Sequence, residues 1–268
     1  GALNLGTGTV NGALTATSDG LLNESGGLTV TGLASFIQNS TGADVDLSQA
    51  NDFHGGVTIL GAGINNLSLE NIDATPGTLS LPASVTGNLT LDYTNAALTV
   101  PLIGVGGALD VTAGGGITID GNVTTGTTQT YNSAVTLGNN VTLAGTNVSL
   151  IGGVTGGGFG LTIAGNATLG TATDLSTLSV SGSSLLNGNV TTTGTQTYAG
   201  AVTLGATDTL TGTDVSLIGG VTGSGHGLTI AGNTTLGTVT GLSSLSVTGT
   251  SLLDGNVTTT GSQTYTGA

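Results

Sequence analysis

The chain has no lysine and no arginine in 268 residues, and no cysteine, methionine or tryptophan. An average soluble chain is about a quarter charged, with basic residues supplying roughly half of that. The missing cations therefore exclude whole classes of function. Nucleic acid is held by neutralising phosphates with Lys and Arg, so nucleic-acid binding is not expected. A basic patch for anionic lipid is missing for the same reason. Fourteen carboxylates and two histidines leave a formal charge of −14, and trypsin-like proteases find no cleavage site. Without cysteine there is neither a disulfide nor a thiolate metal site, so stability must come from burial and backbone pairing. No apolar run approaches the 18 to 20 residues of a membrane-spanning helix, so no membrane insertion is expected.

Aromatic residues are few, four Tyr and three Phe, so the core has to be aliphatic. What is abundant is glycine, at 51 residues, together with Thr, Ser and Asn. Disorder is the obvious reading of such a composition, but Leu, Val and Ile recur too regularly for it. They come as triplets of aliphatic, Thr or Ser, aliphatic: Leu28-Thr29-Val30, Val57-Thr58-Ile59, Leu89-Thr90-Leu91, Ile117-Thr118-Ile119, Val135-Thr136-Leu137, Leu178-Ser179-Val180. Alternation of period two in β-branched residues marks a half-buried strand. Gly or Asn follows almost every triplet, as at Gly61, Gly138 and Gly165, where a corner is expected. Helical spacing is missing, so the chain is read as all-β.

The second half is written twice. GNVTTGTTQTY at Gly121 returns as GNVTTTGTQTY at Gly188 and GNVTTTGSQTY at Gly255. Residues 121–187 and 188–254 align without a gap, and about three positions in four are identical. Residues 1–120 are read as diverged repeats of the same kind, 121–254 as two 67-residue repeats, and 255–268 as the start of a third in a longer array. Fixed-period repetition points to a stacked architecture in which each unit buries its neighbour's face. Strands of three to five residues and prolines at strand ends (Pro76, Pro82, Pro101) favour a parallel β-solenoid over a sandwich. Dividing 67 by three predicts coils of about 22 residues, hence roughly twelve coils and a rod near 60 Å at ~4.8 Å per coil. Equivalent residues of successive copies are expected to stack, where Thr and Asn form ladders and like charges repel.

The runs GLTVTGLASF (Gly27–Phe36), NDFHGGVTIL (Asn51–Leu60), NNLSLENIDA (Asn65–Ala74) and TGNLTLDY (Thr86–Tyr93) resemble the repeats of filamentous haemagglutinin-like large exoproteins. These are β-helical adhesins of Gram-negative bacteria, exported by two-partner secretion or as autotransporters. The resemblance implies a right-handed parallel β-helix at the cell surface or shed from it.

Chemistry-bearing residues are sparse. His54 and His226 belong to no repeated constellation, and His226 replaces Phe159 of the preceding copy, so both are read as turn residues. No Ser or Thr is tied to a His/Asp partner by spacing, and neither a catalytic nor a metal residue is assigned. Calcium is the most natural small ligand, at Asp44, Asp46 and Asp52, but the nonapeptide of calcium-binding β-rolls does not occur. Outward-facing aspartates on a strand from Ala43 to Leu47 are preferred, and no cofactor is expected. Tyr131, Tyr198 and Tyr265 share one repeat position behind Gln129, Gln196 and Gln263, either as an exposed row or, preferably, packed on the coil below.

The function expected is a non-enzymatic extracellular stalk of a bacterial surface adhesin, a rigid protease-resistant rod. Its host, neighbouring-cell or surface ligand would be bound by a region outside this segment. The alternative is a self-assembling extracellular filament or matrix subunit joined end to end through coil edges.

Overall fold

The computed structural model describes residues 1–267. Every regular element among them is a strand, and every assigned strand pair is parallel, in a β-solenoid of about 14 turns. The aliphatic triplets behave as their alternation requires. In Leu28–Val30, Leu98–Val100, Val135–Leu137 and Leu178–Val180 the outer two residues are buried and the middle hydroxyl faces outward. The chain divides into two compact units, residues 1–118 with 122–133, and residues 119–121 with 134–268.

In the first unit one strand column runs Leu3, Leu22, Val45, Leu67, Leu89, Leu109, Gln129. Leu3 to Leu22 is 19 residues and Leu22 to Val45 is 23, so the coils vary in length. A second column stacks Leu14, Ala34, Val57 and Leu79 in a separate four-stranded sheet. The interior is aliphatic apart from Phe36 and Phe53, whose rings lie 5.7 Å apart. Asparagine ladders hold the corners. Asp44 Oδ1 accepts from the Asn66 backbone N–H, Asn66 Oδ1 from that of Asn88, and Asn88 Oδ1 from that of Ala108. Each side chain thus pairs a backbone donor that a bend in the chain would leave orphaned.

In the second unit the columns are longer and the coils shorter. Val135, Val154, Ala172, Val190, Leu210, Ile230, Val247 and Tyr265 form one column. Val148, Ala167, Ser184, Val202, Val221, Val239 and Val257 form another. Leu161, Leu178, Gln196, Val215, Thr234 and Ser251 lie in the third. Leu161 to Leu178 is 17 residues and Val190 to Leu210 is 20, so the expected coil of 22 is too long here.

That difference corrects the assumed phase of the repeat. Three coils carry Val135 to Val190. Val202, the copy of Val135, stands two strands farther on, past Gln196–Tyr198. One copy therefore spans three turns and two sides of a fourth. Val135 and Val202 lie in different columns, as do Val148 and Val215, and Leu161 and Leu228. Copies do not stack on themselves, as the sequence reading had assumed. The ladders form between non-equivalent positions that share only a polar character. Asn166 donates to Asn147 at 3.0 Å and accepts from Ser183, and Asn233 bridges Asp214 and Thr250 in the same way.

Long strands cross corners by a bulge. Between Val141–Leu150 and Leu161–Leu169 the register shifts after Ala144, and Gly165 takes φ +154°. A side chain at Gly165 would overlap the Gly145 carbonyl oxygen, and one at Gly232 (φ +152°) that of Gly212. Only glycine satisfies both the backbone angle and the contact.

Candidate functional site

One face of the first unit is interrupted. Residues 72–78 follow the strand Leu67–Asn71 and form no strand of their own. Pro76 lies within this segment and has no N–H to give a ladder. Between it and the strand Leu98–Val100 is a cavity of about 560 Å³, lined by Ala74, Pro76, Leu79, Tyr93, Leu98 and Pro101 among others. Its wall is mainly apolar, and Tyr93 is 1% exposed. Burial pushes the Tyr93 phenol up to about 12, with Asn71 acting against the shift.

The same segment carries a polar cluster on the side of the preceding coil. Asn51 and Asn71 are register partners, both fully buried. Asn51 Oδ1 accepts from Leu28 N–H, and its amide donates to Glu24 at 2.7 Å and to the Leu47 carbonyl. Asn71 Oδ1 accepts from the backbone N–H of Phe53 and of Asp73, at 3.0 and 3.2 Å. These asparagines fix the chain on both sides of a corner and so aim Asp52, His54 and Asp73 at one another. His54 Nε2 is 3.1 Å from Asp52 Oδ2, and His54 Nδ1 is 3.8 Å from Asp73 Oδ2. One ligand-type atom from each of the three lies within 4.8 Å of the other two. The His54 side chain is 47% exposed and that of Asp73 9%. Asp73 Oδ1 accepts a long 3.4 Å bond from Thr75 N–H, whereas Oδ2 is buried with no hydrogen-bond partner. Glu24, one coil above, has its carboxyl raised by burial, against hydrogen bonds from Asn51 and Gln49.

The other candidates from the sequence fall elsewhere. Asp44 is not on a strand; its Oδ1 accepts from Asn65 Nδ2 and from the backbone and side chain of Asn66. The strand begins at Val45, with Asp46 facing outward between Val45 and Leu47. Asp44, Asp46 and Asp52 form no group of three converging ligands, while Asp52 is drawn into the cluster with His54 and Asp73. Val45–Phe53 is nine residues long and turns a corner, which carries Asp52 away from Asp46. His226 is half-buried in a turn, its N–H donating to the Gly223 carbonyl, as that of Phe159 does to Gly156. Tyr131 and Tyr198 are strand residues wholly inside, with hydroxyls donating to Gln129 and Gln196 at 3.0 and 3.1 Å. Tyr198 sits in the column of Val180 and Leu217, whereas Tyr265 follows Val247 in another, so no aromatic row exists.

Sequence reasoning missed the pairing of His54 with Asp73. The signal was a coil length: Asp73 is 21 residues after Asp52, close to the first unit's 19 to 23.

A family model described as repeats of unknown function (DUF5649) matches residues 1–60 and 86–151, flanking the irregular segment and crossing into the first full copy. No curated protein and no solved structure matches the chain.

Proposed function

We propose that this chain is a non-enzymatic structural element of an extracellular bacterial surface protein, a stalk that supplies length and resistance to proteolysis. The observation that carries this reading is the second unit's core. Three unbroken columns of aliphatic residues run beneath polar corners, built by copying one 67-residue segment. Repetition adds turns without a new design, because stability in a stacked array is a sum of like interfaces. The lack of Lys and Arg removes tryptic sites, and the remaining backbone is committed to the ladder, where a protease cannot open it locally. The surface-adhesin setting rests on the resemblance to haemagglutinin-like exoproteins, and it fits a family model that describes repeats.

Immunogold labelling of intact producing cells with antibody to residues 188–254 tests the reading. Label standing off the cell envelope, drawn closer when those residues are deleted in frame, is the expected result. Label confined to the cytoplasm would reject it.

A further inference from the structure

We propose that Asp52, His54 and Asp73 form a site for a first-row divalent transition metal such as zinc, pinning segment 72–78 to the coil before it. The argument begins with Asp73. Its side chain is nine-tenths buried, and Oδ2 has no hydrogen-bond partner and faces the His54 ring at 3.8 Å. A buried carboxylate oxygen without a donor is costly unless a cation meets it. This chain has no Lys or Arg to supply one. A second carboxylate, Asp52, approaches the same imidazole from its other nitrogen at 3.1 Å, so two acids converge on a single weak base. A dication balances both.

Ligand chemistry chooses the metal class. One imidazole nitrogen with two carboxylate oxygens suits zinc and its first-row neighbours, whereas calcium takes oxygen alone. In a four-coordinate zinc site ligand atoms lie about 3.4 Å apart, against the 4.8 Å limit within which these three already lie. The site closes by rotating His54 and Asp52, the two exposed members, onto the fixed Asp73. Asn51 and Asn71 hold the backbone on either side throughout. The exposed side of His54 leaves the remaining coordination position to water. Segment 72–78 has lost its ladder bonds, and a metal would restore a cross-coil tie at that place.

Isothermal titration of the full chain with zinc chloride in a non-chelating buffer decides the matter. One saturable site per chain with micromolar affinity is expected. D73N and H54Q should each weaken it at least tenfold, while D46N should leave it unchanged. H54Q is decisive should D73N fail to fold, because His54 is exposed and contributes nothing to the core. X-ray absorption of the zinc-loaded chain should show one histidine nitrogen. The absence of a one-to-one site, its survival in H54Q, or equal binding of calcium would each overturn the proposal. None of these outcomes bears on whether the chain is a surface stalk.

Discussion

Asp208 stands where Val141 stands one repeat earlier, and it is as deeply buried, with neither carboxylate oxygen hydrogen-bonded. Burial raises its pKa from 3.8 to about 6, and His226 acts against the shift. The folded chain thus holds this proton more tightly than the unfolded chain. The stabilisation is full below pH 3.8 and is lost as the pH rises through about 6. Restoring the earlier residue, D208V, should raise stability at pH 7.5 by on the order of 2 kcal/mol and change little at pH 3.5. Calorimetric melts of both chains at the two pH values check it; an equal gain at both would remove Asp208 as the cause.

Gly165 and Gly232 make a second prediction. Each combines a φ near +150° with a carbonyl oxygen from the previous coil where a Cβ would sit. G165A and G232A should each destabilise by about 2–4 kcal/mol, read from urea midpoints. Alanine at Gly158 (φ +83°), where a Cβ meets nothing, should cost no more than about 1–2 kcal/mol.

The buried tyrosines can be separated from the exposed one by titration. Tyr131 and Tyr198 lie fully inside and burial pushes both phenols far up, whereas Tyr265 is 36% exposed. Ultraviolet titration should show one phenol, Tyr265, ionising reversibly, and the other two only together with loss of the circular dichroism signal. Y198F should cost about 1–2 kcal/mol, because Gln196 Oε1 loses its donor inside the core. The same change at Tyr265 should be close to neutral.

The corner ladder gives a fourth test. Asn66 donates its N–H and its amide to Asp44 and accepts from Asn88, tying three coils at one point. N66A should lower stability by about 1–3 kcal/mol. The nearby N39A, at an exposed side chain bonded to Asp19 alone, should stay within about 1 kcal/mol. Thermal melts of the two variants make the comparison.

Much of the fold was written locally. A triplet such as Val135-Thr136-Leu137 can bury its ends and expose its middle only as a strand, so composition and period two were enough. Coil length was not legible in the same way. It depends on how many residues each corner consumes, and the bulge at Gly165 or the loop at Pro76 changes that without disturbing any triplet. The cluster at His54 was hidden for this reason: Asp73 becomes a neighbour only once the coil between them is closed, and Asn51 and Asn71 look like ordinary turn residues until then.

The fractional turn in each 67-residue copy makes copy number an angular variable as well as a linear one. A gene that gains or loses one copy by recombination changes the heading of everything that follows by a third of a circle. Only steps of three copies restore it. Selection on such an array would act on direction and reach together, and variants differing by one or two copies would present the same distal surface to different sides.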